Sequence, residues 1–283
     1  GPMIGAVTTG LCRSQASASI VNVDGRATMP GTPVMWLGSI GRLVWRAARK
    51  AGVHDDARFA ESLSGLATAQ AMVAVATALL IAVIAWLVFR WAGWGAAAVT
   101  GAVLATDPWM TGLGSLVHTD ELTALFGVAG LLMVARAFDI PEETGVTRPL
   151  LAAGLAGVVL VHAPLTKILG AGYGVGAAAM IGFALVRDWN RESVVDGARL
   201  RSLRVRQVLV VGACAVVTVL VSWPALLADT GTQVQFLVDS ARLGDNDQGQ
   251  MQFFLGEVTT SPGWGFYPVA LLLRTTPWLL LGV

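Results

Sequence analysis

Long apolar stretches separated by short polar segments dominate the pattern along this chain. They lie near residues 66–89, 91–106, 120–138, 150–167, 168–186 and 207–227, and another begins near 266 and continues to the last residue. A helix needs about 20 apolar residues to cross a bilayer. The pattern therefore predicts six membrane-spanning helices and the start of a seventh. It also predicts a break within 150–186, at Pro164 or Gly170.

A shorter segment, residues 34–48, reads VMWLGSIGRLVWRAA. Its apolar residues recur at helical spacing, and Arg42 and Arg46 interrupt them. This pattern predicts an amphipathic helix at the membrane surface rather than a span. Residues 1–33 are polar, small and turn-rich. We therefore expect two regions, an N-terminal segment over 1–65 and a transmembrane core over 66–283.

The composition fits a membrane-embedded chain. Of the 283 residues, 55% are hydrophobic and 13% are charged, and the mean hydropathy is +0.67. Soluble domains carry about 25% charged residues. We therefore predict an all-α polytopic membrane protein with membrane lipids around it. The net charge of +1 and the lack of a basic run with interleaved aromatics give no reason to expect a nucleic-acid partner.

The loop charges predict how the spans are oriented. The segment 187–206 has six arginines against three acidic residues, a net charge of +3, and 228–265 has one arginine against five acidic residues, a net charge of −4. Because basic loops stay in the cytoplasm, 187–206 is expected inside and 228–265 outside. Threading back through the spans places 107–119 and 1–65 outside as well. We therefore expect a multi-pass membrane protein with these segments on its outer face.

Ionisable residues at the external ends of the predicted spans are the candidate functional groups. His118, Asp120 and Glu121 lie where the third span begins, Lys167 lies at the end of the fourth, and Arg274 lies inside the last apolar stretch. Acidic residues at a helix start also serve as caps and favour the helix dipole. Cations near a span bind functional anions or extend to the membrane surface. These alternatives stay open from the residues alone.

Two further polar residues have simpler interpretations. Asp107, in the sequence Asp107-Pro108-Trp109, is typical of a helix end beside an interfacial tryptophan. His162, in the fourth span, is expected to be a packing residue with its own hydrogen bond. Neither needs a catalytic role to explain its position.

Four stretches resemble the family 39 glycosyltransferases, which have the GT-C fold. DPWMTGLGSLVHTDELTALF is similar to the second external loop and following helix of that family. APLTKILG (163–170) resembles its LTK stretch, and MPGTPVMWLG (29–38) resembles a segment ahead of its second helix. FFLGEVTTSPGWGFYPVALLLRTTPWLLLG (253–282) resembles its GWxFYP stretch. The four occur in the family's order over about 29–283, so the resemblance implies a GT-C-like bundle.

The resemblance also implies a location and a reaction. The protein would be a multi-pass plasma membrane protein with its active site facing outside. Members, such as protein O-mannosyltransferases and the aminoarabinose transferase of lipid A, move a sugar from a polyprenyl-phosphate-linked donor to an acceptor hydroxyl on a protein, lipid or glycan, with inversion. By resemblance, the catalytic candidates are His118, Asp120 and Glu121, and Lys167 and Arg274 would bind the donor phosphate. Glu257, Trp264 and Tyr267 would belong to a substrate loop. The spacing of the catalytic candidates does not define a metal site, so a divalent cation stays an open alternative.

The family pattern also includes features that this sequence lacks. Members begin with a first transmembrane helix and an Asp-Glu pair, and the Asp of that pair is the presumed base. Here Asp24 is the only acid before Asp55. We therefore expect a fragment that lacks the first transmembrane helix and the C-terminal part. The alternatives are a non-catalytic membrane subunit, a truncated pseudoenzyme and, less favoured, a transporter or lipid flippase.

Overall fold

The structure is a computed structural model that describes residues 31–52, 60–114, 117–139, 146–190, 197–243, 252–254, 256–259 and 263–274. Its helices are α1 Thr32–Lys50, α2 Ala60–Thr106, α3 Pro108–Gly114, α4 Asp120–Asp139, α5 Thr147–Thr166, α6 Ala171–Asn190, α7 Gly197–Ser222, α8 Ala225–Ala228, α9 Thr230–Leu243 and α10 Phe266–Arg274. Strands β1 Gln252–Phe254 and β2 Glu257–Thr259 form an antiparallel hairpin. Apart from this hairpin, the described elements are helical.

Five helical segments in the described ranges are long and apolar enough to cross a membrane. They are Gly65–Thr106, Asp120–Asp139, Thr147–Thr166, Ile168–Trp189 and Leu200–Ser222. The chain is thus a helical, membrane-embedded protein. The first of these segments, Gly65–Thr106, contains both predicted runs 66–89 and 91–106 within α2, which is why five segments stand where the sequence predicted six spans. The predicted seventh span starts as α10, and residues 275–283 lie outside the described part of the chain.

Helix α2 reverses direction at Gly93. The backbone there has φ 81° and ψ −174°, which glycine adopts without the strain that a side chain would add. The two arms pack side by side, since a Cβ added at Gly101 would lie 3.5 Å from Cβ of Ala85. The rings of Phe89 and Trp94 meet across the turn at 5.1 Å. The reversal makes α2 a helical hairpin whose second arm is short.

The break predicted within 150–186 lies at Lys167. Helix α5 ends at Thr166, Lys167 is extended with φ −152° and ψ 134°, and a short 3₁₀ turn follows before α6. Gly170 lies so close to the end of α5 that an added Cβ would be 2.7 Å from the backbone nitrogen of Pro164. The tight packing at Gly170 therefore fixes where the chain turns and leaves Lys167 at the turn.

The segments predicted as loops contain more helix than the sequence pattern indicated. Segment 107–119 includes α3, segment 228–265 includes α9 and the hairpin, and segment 187–206 is helical up to Asn190 and again from Gly197. Hydropathy marks only the apolar part of a helix. Backbone hydrogen bonding continues into polar turns beyond it, which is why these helices extend past the predicted spans.

Helix α4 lies at the centre of the bundle, in contact with α2, α5 and α6. Small residues allow the close approach: a Cβ at Gly130 would be 2.6 Å from Cα of Leu160 on α5, and a Cβ at Gly127 would meet the ring of Tyr173 on α6. Because α4 is central, its first residues, Asp120 and Glu121, lie in the middle of one end of the bundle.

Helix α1 packs beside α2 and is hydrogen-bonded to two membrane helices. The Thr32 hydroxyl donates to the Leu165 carbonyl at 3.0 Å, and Nε1 of Trp36 donates to the Ser222 carbonyl at 2.9 Å. Leu165 and Ser222 lie at the ends of α5 and α7. The start of α1 is therefore fixed at the same end of the bundle as Lys167.

Candidate functional site

Asp120 and Lys167 form an ion pair. The Lys167 ammonium donates to Oδ1 of Asp120, and the two side chains are 20% and 33% exposed, lysine first. The residues are 47 positions apart and come from two of the segments that carry the family resemblance. Packing of α4 against α5 brings them together. We call the part of the bundle formed by residues 117–121 and 165–167 the Lys167 end.

His118 caps the helix that carries Asp120. Its Nδ1 accepts a hydrogen bond from the backbone N–H of Asp120 at 3.2 Å. The Thr119 carbonyl accepts from both the backbone N–H and the hydroxyl of Thr123, at 3.0 and 2.7 Å. The bond to His118 satisfies a backbone N–H that a helix start otherwise leaves unpaired. The structure therefore places His118, Asp120 and Lys167 at one end of the bundle and gives His118 a capping contact.

Glu121 points into the protein. It is 1% exposed, and the Thr77 hydroxyl of α2 faces its carboxylate. Neither carboxylate oxygen nor the Thr77 hydroxyl has a hydrogen-bond partner of ordinary geometry among the described residues. Gly114 lies against the same carboxylate, since an added Cβ would be 2.6 Å from Oε1 of Glu121. A buried carboxylate is costly without partners, which makes this position unusual.

Thr77 and Gly114 were not predicted to belong to the site. Thr77 is a polar residue within an otherwise apolar run, and Gly114 is the last residue of α3. A lone hydroxyl within a membrane span is a signal that could have identified Thr77. No sequence pattern links either residue to Glu121, because the contacts depend on how α2, α3 and α4 pack.

Asp107 and His162 have structural contacts beside the site. Oδ1 of Asp107 accepts from the backbone N–H groups of Trp109 and Met110, both at 3.0 Å, and so caps α3. The His162 ring stacks on Phe126 at 5.0 Å, and its Nδ1 lies 2.7 Å from the Val158 carbonyl. These contacts agree with the simpler interpretation of both residues.

The predicted substrate loop lies in the hairpin and α10. Glu257 is exposed, Trp264 is 91% exposed and Tyr267 is 77% exposed. Within the described part of this segment the ring of Tyr267 contacts Phe266 at 5.4 Å. Among the described contacts, none joins these residues to Asp120 or Lys167. Arg274 is the last residue of α10, and its side chain lies outside what the structure describes.

A second polar cluster lies at the opposite end of the bundle. Nε of Arg204 donates to Asp188 at 2.7 Å, Nη1 of Arg204 donates to Gln207 at 2.8 Å, and the Gln207 amide donates to the Ala137 carbonyl at 2.8 Å. Arg187 also binds Asp188, at 2.9 Å. We call this cluster the Arg204 end. In the sequence these charged side chains contributed only to the net charge of the predicted loop 187–206, and the network was not predicted.

The described residues contain no group of three or more His, Cys, Asp or Glu side chains arranged to hold a metal ion. The expectation of a divalent cation therefore stays a prediction.

Comparison with known proteins finds no matching family model, no similar curated protein and no similar solved structure.

Proposed function

We propose that this protein is a membrane glycosyltransferase with a GT-C-like bundle. It would transfer a sugar from a polyprenyl-phosphate donor to a hydroxyl of a protein, lipid or glycan acceptor, at the external face and with inversion. The observation that carries the proposal is the ion pair between Asp120 and Lys167. The pair joins two of the four segments that resemble the family, at one end of a bundle of apolar helices.

The ion pair leaves groups on both partners for a substrate. An ammonium has three N–H donors, and one is directed at Oδ1 of Asp120, so two remain for a phosphate. Binding by Lys167 would offset the negative charge that develops on the leaving lipid phosphate. Since neither side chain is fully buried, both are within reach of a ligand at the membrane boundary.

Asp120 can also act on the acceptor. A hydroxyl is a weak nucleophile at neutral pH, and a carboxylate within hydrogen-bond distance can take its proton as the new bond forms. Oδ2 of Asp120 is not used in the contact with Lys167. Glu121 is buried behind Asp120, so we assign the contact with the acceptor to Asp120.

The direct test is transfer of radiolabelled sugar from polyprenyl-phosphate donors by membranes that contain the protein. We expect the wild type to transfer label. Lys167→Ala should lower transfer about ten- to a hundredfold, because a lost charged hydrogen bond costs roughly 1.5–3 kcal/mol. Asp120→Asn should lower transfer at least tenfold with normal membrane yield, since asparagine caps a helix about as well as aspartate.

Asp229→Asn is the matched control for Asp120→Asn, because Asp229 is an exposed aspartate beside a helix start. It should leave transfer unchanged. An Asp120→Asn protein with wild-type transfer would reduce Asp120 to a helix cap. A wild-type protein that transfers no sugar from any such donor would favour a non-catalytic membrane subunit instead.

A further inference from the structure

Helix α1 has three faces rather than the two of an ordinary surface helix. Successive residues in an α-helix are about 100° apart around the axis. On this wheel the residues of α1 fall into a face packed on the protein, an exposed apolar face and a basic face. The three faces occupy separate arcs along the 19 residues of the helix.

The packed face lies against α2. It contains Val34, which is 2% exposed, and Gly41, where an added Cβ would be 2.6 Å from the Thr68 carbonyl oxygen. Leu37 packs on the same core cluster as Val34. These residues fall within an arc of about 60°. The protein therefore covers only part of the apolar surface of α1.

The exposed apolar face lies next to the packed face. Trp36 and Ile40 are each 42% exposed, Val44 is 53% exposed and Leu43 is 61% exposed. Their spacing of four, three and one residues places them on one stripe about 100° wide. Four large apolar side chains on one stripe indicate a surface that is covered in the working protein.

The basic face completes the helix. It contains Arg42, Arg46 and Lys50, with Arg49 on the same side, and α1 has no acidic residue. Arg46 and Lys50 are exposed. A ligand for this surface must therefore offer apolar chains to the stripe and negative charge beside it. Anionic phospholipids have both parts, with phosphate groups at the depth where the acyl chains begin.

The position of α1 favours a lipid leaflet over other apolar partners. Trp36, the first residue of the stripe, is hydrogen-bonded to Ser222, the last residue of a membrane-spanning segment. The stripe thus begins where that segment ends. We propose that α1 binds anionic phospholipids of the leaflet at the Lys167 end, with the stripe among the acyl chains and the basic face on the headgroup phosphates. This inference does not depend on the proposed function.

Lipid quenching of a probe on the stripe tests the proposal. The two cysteines, Cys12 and Cys214, are replaced by serine, and a cysteine in place of Leu43 is labelled with a polarity-sensitive fluorophore. The protein is placed in vesicles of phosphatidylcholine and phosphatidylglycerol. One lipid is brominated on its acyl chains at a time. We expect both brominated lipids to quench the probe, and brominated phosphatidylglycerol to quench it more strongly.

The preference for phosphatidylglycerol should depend on the basic face. Replacing Arg42, Arg46 and Lys50 together with glutamine should remove most of it, because each basic residue near an anionic surface contributes roughly a fivefold preference. Arg206→Gln is the control. It removes an exposed arginine of α7, near Arg204, and should leave the preference unchanged.

Three outcomes would overturn the proposal. A probe at Leu43 that is quenched by aqueous iodide and by neither brominated lipid would place the stripe outside the bilayer. Equal quenching by the two lipids in the wild type would show that α1 does not prefer anionic phospholipids. Disulfide cross-linking between two copies through a cysteine at this position, with no lipid quenching, would assign the stripe to a second copy of the chain.

Discussion

The two ends of the bundle use the same kinds of side chain in opposite ways. At the Arg204 end, Asp188, Arg204 and Gln207 are 7%, 6% and 0% exposed, and each is hydrogen-bonded. At the Lys167 end, the ion pair is partly exposed, and the Glu121 carboxylate behind it is buried without a partner of ordinary geometry in the described structure. Among these residues, the polar side chains at the Arg204 end are buried and hydrogen-bonded, whereas those at the Lys167 end are partly exposed or lack a partner in the described structure.

This difference separates a structural role from a functional one. A buried, fully bonded network fixes the relative positions of the helices that contribute to it, here α4, α6 and α7. In this network Asp188, Arg204 and Gln207 each already have a protein partner. Buried polar groups without hydrogen-bond partners occur mainly at functional sites. The Lys167 end, which contains Glu121, is therefore the better candidate for a site.

The largest effect is expected at the Arg204 end. Arg204→Met removes one of the two arginines bound to buried Asp188 and the partner of the Gln207 side-chain oxygen. Breaking a buried pair costs roughly 3–5 kcal/mol, and we expect the lower end of that range because Arg187 still pairs with Asp188. Unfolding in detergent, followed by circular dichroism, measures this loss. Arg206→Gln, an exposed neighbour on the same helix, should stay close to the wild type. A change below about 0.5 kcal/mol for Arg204→Met would show that the cluster does not hold the helices together.

A smaller but more specific effect is expected at Gly114. An added methyl group would lie 2.6 Å from Oε1 of Glu121, so Gly114→Ala should destabilise the protein by about 1–3 kcal/mol. Glu121→Ala in the same chain should recover most of this loss, because it removes the clash. Gly112→Ala on the same helix has open space around the new methyl group and serves as the control. Additive effects of the two substitutions would contradict the contact.

The ion pair itself should contribute little to stability. Partly exposed pairs contribute about 0–1 kcal/mol, so Lys167→Met should unfold almost as the wild type does. The proposed function predicts a large loss of sugar transfer for the same variant. If Lys167→Met lost as much stability as Arg204→Met, the ion pair would have a structural role like that of the Arg204 network, and the contrast between the two ends would be wrong.

The smallest effect concerns Asp229, which lies between α8 and α9. The side chain and backbone of Thr232 both donate hydrogen bonds that lower the pKa of Asp229 from its ordinary value of 3.8. A lowered pKa means that the contribution to stability is present above the ordinary pKa and is lost as the pH falls through the lowered one. Hydrogen exchange at the start of α9 should therefore accelerate only in strong acid. In the Asp229→Asn variant, hydrogen exchange at the start of α9 should not show this acceleration in acid.

Local patterns predicted which residues lie at helix ends but not which of them meet. Hydropathy placed Asp120 and Lys167 at the boundaries of apolar runs, and the structure has helix boundaries at both. Their pairing was not predicted, because it depends on small residues such as Gly130 that let α4 and α5 approach. The Arg204 network was not predicted, since charge counting treats Asp188 and Arg204 as solvated loop residues.

The division of α2 into two arms agrees with the hydropathy pattern, whereas the burial of Glu121 could not be predicted from it. Apolar runs on both sides of Arg90 predicted two spans, and the structure places the reversal between them at Gly93. The burial of Glu121 depends on Thr77 and Gly114, which come from two other helices. Contacts between distant elements leave no periodicity in the sequence, and this is why the site could be outlined but not assembled.

The second arm of the α2 hairpin is shorter than a bilayer is thick. Residues 94–106 make a helix about 20 Å long, whereas the hydrocarbon core is about 30 Å thick. Trp86, Trp91 and Trp94 are exposed around the turn, and tryptophan prefers the headgroup region. A segment shorter than the hydrocarbon core is accommodated by local thinning of the bilayer, by flanking side chains or by association, at a cost that rises with the mismatch. The thickness of the host membrane, and not only the sequence, then helps to determine how firmly this edge of the protein stays inserted.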